Sequence, residues 1–258
     1  MSNSDALSCK ESGGPFRADQ IRDGDPYELS NGHAIKCMSS GTSHGRTSLL
    51  GGSILDSDPA VESAGVDVGF SPQSNLLRAP DVAVGNVPDR PGWGQSMPPL
   101  AVEVADVGQD EAELKVKIDE YFAHGTRYVW VVRKVGPRRV EVHEPGQKPR
   151  TYQVGEELTA PGVLQNPVPV LAWFERDHAH DVTLRNLLNR KGFSSLEEVQ
   201  ERSRDNGRVE GIKEAVGDMC ELLGIELTAD RSQKLAGMTL ADLAALRAHL
   251  KQHRAWPR

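Results

Sequence analysis

The stretch that most constrains the fold is an apolar run, a helical pattern and a second apolar run. Residues 100–105 read LAVEVA, residues 110–125 read DEAELKVKIDEYFAHG, and residues 128–133 read YVWVVR. The middle segment is predicted as a helix, because Asp110 can cap its start and Gly125 can end it. Two apolar strands joined by a helix indicate a crossover unit within a mixed sheet.

A carboxylate lies at the centre of the first apolar run. Glu103 shares one face of its strand with Ala101 and Ala105, and these small neighbours leave room beside the carboxylate. A buried carboxylate without a partner is costly, so such a residue is usually paired, bound to a metal or turned to solvent. The position of Glu103 therefore raises the question of its partner.

Three further residues can reach that position. Asp81 opens the strand DVAV, and a strand end is a place from which a side chain can reach a cleft. Lys117 and Tyr121 are four residues apart on the helix, so they lie on one helix face, which can be directed towards the sheet. Two carboxylates and a lysine could meet around a hard divalent cation, which would acidify a bound water while the lysine orients it.

The rest of the first 176 residues reads as short strands and one helix. The segment YELSNGHAIKCM predicts a hairpin that turns at Asn31-Gly32 and continues to Met38. A helix is predicted from Thr42 or Ser43, although Gly51 and Gly52 weaken it. Further strands are predicted at GVDVGF, at APDVAV and, joined at Gly136-Pro137, at RYVWVVRK and RRVEVHE.

Three regions are expected along the chain. Residues 1–25 predict a flexible leader, residues 26–176 one α/β domain, and residues 177–258 an all-helical extension for packing or oligomerisation. In the extension, Ser194 and Glu197 have capping-box spacing, and Thr239 can cap the last helix. The histidines of the segment ERDHAHD, in a polar linker, and the pair His249 and His253 offer weak alternative metal sites.

Composition limits the class of protein. The chain has 258 residues, 38% hydrophobic and 26% charged, which is typical of a soluble globular protein. It contains no apolar run long enough to cross a membrane and no secretory signal, and its three cysteines are spaced for neither disulfides nor zinc. We therefore expect a cytoplasmic protein with free thiols and no membrane association.

The charge is unevenly distributed. A net charge of −7 argues against a general nucleic-acid coat, yet residues 127–150 hold seven basic residues against two acidic ones. This basic segment, which includes Arg138 and Arg139, is a candidate binding surface for a phosphate backbone. A solvated hairpin tip is the simpler interpretation of the same charges.

Five pieces of the sequence resemble the successive signatures of one family. In order along the chain they are YELSNG, SHGR, APDVAV, AVEVAD and KIDEYFAHGTRYVWVV. Together they are similar to the Uma-two family of restriction-endonuclease-like proteins, within the PD-(D/E)XK nuclease superfamily. The resemblance extends from Tyr27 to Phe174, and the helical extension lies outside the family core.

The resemblance implies a restriction-endonuclease-like mixed sheet flanked by helices and a Mg²⁺- or Mn²⁺-dependent endonuclease acting on nucleic acid, with DNA as the expected substrate. It implies metal binding by Asp81, Glu103 and the backbone carbonyl of Val104. It further implies catalytic roles for Lys117 and Glu28. Candidates for substrate contacts are His44, at a polar helix position of the family, Tyr121, and the arginines of the basic segment, Arg138 and Arg139. A homodimer is expected because a duplex has two strands to cut, and an accessory protein is an additional possibility.

Two points stay open in the sequence. In the superfamily a lysine usually lies two residues after the glutamate, where this chain has Ala105, and the next helix offers Lys115 as well as Lys117. The alternative function is a catalytically silent module of the same fold that acts in assembly through its helical tail. Convergence of Asp81, Glu103 and Lys117 would favour the enzyme, whereas a solvent-facing Lys117 would favour the module.

Overall fold

A computed structural model describes residues 14–37 and 39–257 and divides the chain into two compact units, Met1–Gly192 and Phe193–Arg258. Most of the predicted leader, and Met38 at the end of the predicted hairpin, lie outside the described residues. The part of the leader that is described contains a short 3-10 helix, Ala18–Gln20, in which Ala18 is buried. Ala18 also donates its backbone N–H to the carbonyl of Ser74, so the described residues 14–25 are held against the rest of the first unit before the first strand begins.

The first unit contains ten strands and three α-helices among its described residues. In chain order they are β1 Tyr27–Ser30, β2 His33–Lys36, α1 Thr42–Asp56, β3 Ala64–Val66, β4 Val82–Val84, β5 Leu100–Ala105, α2 Glu111–Ala123, β6 Tyr128–Arg133, β7 Arg139–His143, β8 Arg150–Gln153, β9 Glu157–Leu158, β10 Val168–Pro169 and α3 Arg176–Arg190. The predicted hairpin is confirmed as β1 and β2, with Asn31 and Gly32 both at positive φ in the turn.

The central sheet is mixed, as the sequence predicts. Six strands run in the order β3-β4-β5-β6-β7-β8. Strands β5 and β6 are parallel and are joined by α2, whereas the other neighbours are antiparallel. Helix α2 is capped by Asp110, whose carboxylate accepts from the backbone N–H groups of Ala112 and Glu113. The predicted crossover unit is thus present.

The two faces of this sheet carry different side chains. One face is rich in valine with Trp130, and packs against Ile54 of α1 and against Trp173. The other face presents smaller residues, including Ala101 and Ala105, to α2. Small side chains let a helix approach a sheet closely, so α2 lies directly over the face to which Glu103 belongs.

Gly51 is explained by the contact between α1 and Trp173. A Cβ atom built on Gly51 would lie 2.0 Å from Trp173 Cζ3, so the indole packs directly on the helix backbone. The glycine that weakens the sequence-based prediction of α1 is therefore required by tertiary packing.

This contact gives a first prediction. Gly51→Ala should lower the free energy of unfolding by about 1–3 kcal/mol, because the core has no room for a methyl group. Gly45→Ala in the same helix is the matched control, since nothing lies within 4 Å of its Cβ position; it should stabilise by about 0.5–1 kcal/mol. Urea unfolding of both variants measures the difference, and equal effects would contradict the packing argument.

The segment ERDHAHD is helical, so the prediction of a polar linker there was wrong. It begins α3, which buries Ala179, Val182 and Asn186. Asn186 donates to the carbonyl of Ile54 at the end of α1. The first compact unit consequently continues to Gly192, beyond the boundary that the sequence suggests at residue 176.

The second unit contains α4 Leu196–Leu222, α5 Ala229–Ala236 and α6 Leu240–His253. Its core includes Val216 and Cys220 of α4 with Leu246 and Leu250 of α6. Thr239 caps α6 as predicted. The cap of α4 is Ser195 rather than Ser194, because Ser194 instead donates to the Glu198 carboxylate.

Among the described residues, none of the helices combines the length and the apolar character that crossing a membrane would require.

Candidate active site

The partner of Glu103 is the lysine of the following helix. Lys117 Nζ lies 3.0 Å from Glu103 Oε1 and 3.1 Å from Oε2. Tyr121, one turn further along α2, donates its hydroxyl to Glu103 Oε1 at 2.7 Å. The carboxylate is thus held by two side chains that share a helix face, as the spacing predicts.

Lys117 makes two further contacts. Its ammonium donates to the backbone carbonyl of Ala79 at 2.9 Å and lies 3.1 Å from Glu28 Oε1. An ammonium has three N–H donors, and each of them has an acceptor here. The side chain of Lys117 is only 14% exposed, so it points into the protein and not to solvent.

Asp81 lies beside this group at the start of β4. Its Oδ1 is 2.7 Å from His44 Nε2, and its Oδ2 accepts from the backbone N–H of Val104 at 2.6 Å. The neighbouring Ala105 instead points its carbonyl towards β6, where it accepts from Lys134 N. Successive residues of a strand point to opposite edges, so the carbonyl of Val104 also faces the edge where Asp81 lies.

Two charged residues of this network were not found from the sequence. Arg78 is 1% exposed and lies between two carboxylates, with its Nη1 2.9 Å from Glu28 Oε2 and its Nε 2.5 Å from Glu120 Oε2. Ser30 donates to the other oxygen of Glu120. Arg78 therefore connects β1 and α2 to the loop that leads to Asp81. An arginine within the apolar run LLRAP was the available signal.

Burial and neighbouring charges shift the pKa values of these groups. Burial, together with the charges of Asp81 and Glu28, raises the pKa of Glu103 from 4.5 to about 7. Burial alone would also raise the pKa of Glu28, but Lys117 and Arg78 more than offset it and the pKa lies below its usual value. The site therefore holds one carboxylate that is incompletely compensated.

The charged forms of His44 and Lys117 are both favoured by neighbouring carboxylates. The hydrogen bond with Asp81 raises the pKa of His44 despite the opposing effect of burial. Burial disfavours the Lys117 ammonium, but the carboxylates of Glu103 and Glu28 outweigh it, so the pKa of Lys117 is raised. Carboxylates and cations of the described network therefore stabilise one another's charges, with Glu103 the least stabilised carboxylate.

The pKa of Glu103 yields a prediction about stability in EDTA. When folding raises the pKa of a carboxyl group, the group stabilises the folded state fully at a pH below its pKa in the unfolded chain. That stabilisation is lost as the pH rises through its pKa in the folded protein. Between pH 5 and pH 8, wild type should lose about 2–3 kcal/mol of unfolding free energy relative to Glu103→Gln. Urea unfolding of both proteins at the two pH values measures this, and a pH-independent difference would contradict it.

A cleft of about 600 Å³ is lined by six of these residues, Glu28, His44, Arg78, Asp81, Glu103 and Lys117. Its floor carries the charged groups already described, and its rim includes Tyr27, Trp93 and Asp67. Asp67 has an unusual positive φ of 54°, and burial together with Asp81 raises the pKa of its carboxyl group. Within residues 14–37 and 39–257, no three carboxylate, imidazole or thiol groups converge as a preformed metal cage, the histidine pairs of the sequence included.

The other candidate substrate residues lie differently from what the sequence suggests. Tyr121 is fully buried beneath Glu103, so it holds that carboxylate and does not reach the cleft surface. Arg138 pairs with Glu175, and Arg139 donates to backbone carbonyls and lies near Glu141. Three of the seven basic residues of this segment, Arg133, Arg138 and Arg139, thus lie beside carboxylates of the protein itself.

Comparisons with known proteins agree with this architecture. A solved structure of "a putative nuclease" from Anabaena variabilis has a similar fold, with a TM-score of 0.53 and 16% sequence identity over 64% of this chain and 99% of that chain. No curated protein matches the chain. The family model described as "Putative restriction endonuclease" matches residues 16–173, more than half of the chain. The chain therefore belongs to the Uma2 family.

Proposed function

We propose that this protein is a divalent-metal-dependent endonuclease that hydrolyses phosphodiester bonds of nucleic acid. The observation that carries the proposal is the inward-facing Lys117, whose ammonium lies 3.0 Å from Glu103 at the floor of a cleft shared with Asp81. A solvent-facing lysine would have favoured an interaction module. The family and the similar fold support the same reaction class.

The donor set fits a hard cation. Asp81, Glu103 and the carbonyl of Val104 supply the oxygen ligands that Mg²⁺ and Mn²⁺ prefer. Three carboxylates, those of Glu28, Asp81 and Glu103, line the cleft with two fixed cations, Lys117 and Arg78, and with His44, whose pKa is raised. Burial and the charges of Asp81 and Glu28 raise the pKa of Glu103, so negative charge on this carboxyl group is not fully compensated. A bound divalent cation would balance it.

Each side chain then has a distinct role. The metal, when bound, supplies Lewis-acid chemistry and lowers the pKa of a water. Lys117 orients the attacking water or stabilises negative charge on the phosphate, and for this it must release one of its three acceptors. Glu28 holds the ammonium in reach, and His44 fixes the orientation of the Asp81 carboxylate through the 2.7 Å contact.

A catalytically silent module is the second candidate, and one observation favours it. All three N–H donors of Lys117 and both oxygens of Asp81 have partners within the protein, as expected of a purely structural network. We favour the enzyme because Asp81, Glu103 and Lys117 line one cleft and burial raises the pKa of Glu103 to about 7, a combination typical of functional sites.

The test is a cleavage assay on plasmid, single-stranded DNA and RNA, each with Mg²⁺, Mn²⁺ or EDTA. Cutting in Mg²⁺ or Mn²⁺ that stops in EDTA and in Glu103→Ala is the expected result. Cutting that survives Glu103→Ala would place the chemistry elsewhere, and no cutting in either metal would favour the silent module. The homodimer, the accessory protein, the cytoplasmic location and the role of the helical extension stay predictions.

A further inference from the structure

The rim of the cleft is negatively charged. Among the described residues, its exposed charged side chains are four carboxylates, Asp23, Asp25, Asp67 and Glu113, against one cation, Lys36. Binding along a duplex depends on neutralising several phosphates with basic side chains, and each such contact steepens the dependence of affinity on salt. A negatively charged rim is therefore poorly suited to binding a duplex, which carries two phosphate backbones.

The basic segment, residues 127–150, does not supply the positive charge that the rim lacks. Arg133 pairs with Glu111 and Glu141, and Arg138 pairs with Glu175. Neither arginine lines the cleft with the acidic site. The phosphate contacts available at the cleft are therefore few.

The rim offers aromatic surface instead. Tyr27 and Trp93 are both half-buried and both line the cleft. Trp93 is fixed in place, because its indole N–H donates to the carbonyl of Ala18 and its ring lies on Gly69, where a Cβ atom would be 2.5 Å from Trp93 Cε3. Rigid aromatic rings bind unpaired bases by stacking, with little dependence on sequence.

The depth of the site limits the substrate further. Glu103 and Lys117 are only 10% and 14% exposed, so a phosphodiester must enter the cleft to reach them. The cleft volume of about 600 Å³ is in the range of small-ligand sites. An unpaired strand can thread into such a space, whereas a base-paired duplex presents its bases to each other and not to the rim.

We infer that the cleft binds single-stranded nucleic acid, with unpaired bases stacked on Trp93 and Tyr27 and the backbone turned to Lys117. The inference rests on the proposed function, since it assigns the substrate class of the same site. Binding should depend on stacking more than on charge, so the affinity should fall with salt less steeply than that of a typical duplex-binding protein.

The experiment is fluorescence anisotropy with the full chain in Ca²⁺, using labelled dT12, the matching rU12 and a 12-base-pair duplex. We expect the single strands to bind at least about tenfold more tightly than the duplex. A logarithmic salt slope shallower than about −2, equivalent to two or three phosphate contacts, is expected for the strand. The dT12 and rU12 arms distinguish DNA from RNA.

Variants separate stacking from packing. Trp93→Leu and Tyr27→Ala should each weaken dT12 binding about tenfold, whereas Trp93→Phe should retain most of it because the phenyl ring still stacks. Tyr152→Ala is the control, a half-buried tyrosine that does not line the cleft. Thermal unfolding of each variant checks that the protein is folded; equal losses for Trp93→Phe and Trp93→Leu would overturn the stacking role.

The two proposals fail in different ways. Strand binding that depends on Trp93, without cleavage in Mg²⁺ or Mn²⁺, would support the substrate class and argue against hydrolysis. If the protein cleaves nucleic acid but binds the duplex more tightly than the single strand, with an affinity that falls steeply with salt, the proposed substrate class is wrong. The proposed nuclease activity would then still stand. Absence of dT12 binding would also overturn the inference.

Discussion

Replacing Lys117 with methionine should reduce the rate of metal-dependent cleavage by about 10²- to 10³-fold, the range seen when one group that stabilises transition-state charge is removed. The ammonium lies 3.0 Å from Glu103, where it can meet a water or a phosphate oxygen at the cleft floor. Methionine preserves the length of the side chain and removes the charge. The single-turnover rate at saturating metal is the measurement.

Lys115 provides the matched control. It lies two residues earlier on α2 and is exposed, so it shares the helix and the residue type but not the site. Lys115→Met should cleave at close to the wild-type rate. Because Lys117→Met leaves Glu28 and Glu103 with less compensation, its circular dichroism and thermal unfolding are needed as well. A folded Lys117→Met variant with a normal rate would show that this lysine has no catalytic role.

Replacing Arg78 with methionine should lower the free energy of unfolding by about 3–5 kcal/mol. The guanidinium is 1% exposed and compensates Glu28 and Glu120, and removing one member of a buried ion pair leaves a charge without compensation. The loss should be smaller in the double variant Arg78→Met/Glu120→Gln, since one of the two carboxylates is then neutral. Urea unfolding at pH 7 measures both.

Arg150→Met is the control for that experiment. Arg150 is exposed on β8, and its guanidinium lies over the ring of Tyr152. Exposed contacts of this kind contribute little, so the change should stay within about 1 kcal/mol. If Arg78→Met were as mild as Arg150→Met, the buried network would not be a source of stability.

Local patterns were sufficient to predict the elements around the site. The alternation of LAVEVA, the cap at Asp110 and the four-residue spacing of Lys117 and Tyr121 each depend on neighbours close in sequence. The helix α3 was missed for the opposite reason. Its buried positions, Ala179, Val182 and Asn186, include a polar residue whose side-chain amide donates to Ile54 of α1, 132 residues away in sequence.

The charge network illustrates the same limit. Arg78 meets Glu28 and Glu120 across 50 and 42 residues of sequence, so no local period relates them. The family resemblance identified Glu28 but not its arginine partner. Long-range pairing of buried charges has to be observed, because a charged residue in an apolar segment is compatible with several different partners.

The position of Lys117 on α2 restricts which insertions and deletions this chain can tolerate. Because Lys117 comes from α2 while Glu103 comes from β5, their meeting depends on the rotational phase of the helix. Each residue inserted or deleted between Asp110 and Lys117 would turn the ammonium by about 100° around the helix axis. Point substitutions in this segment can be accommodated, but its length cannot vary without separating the two groups.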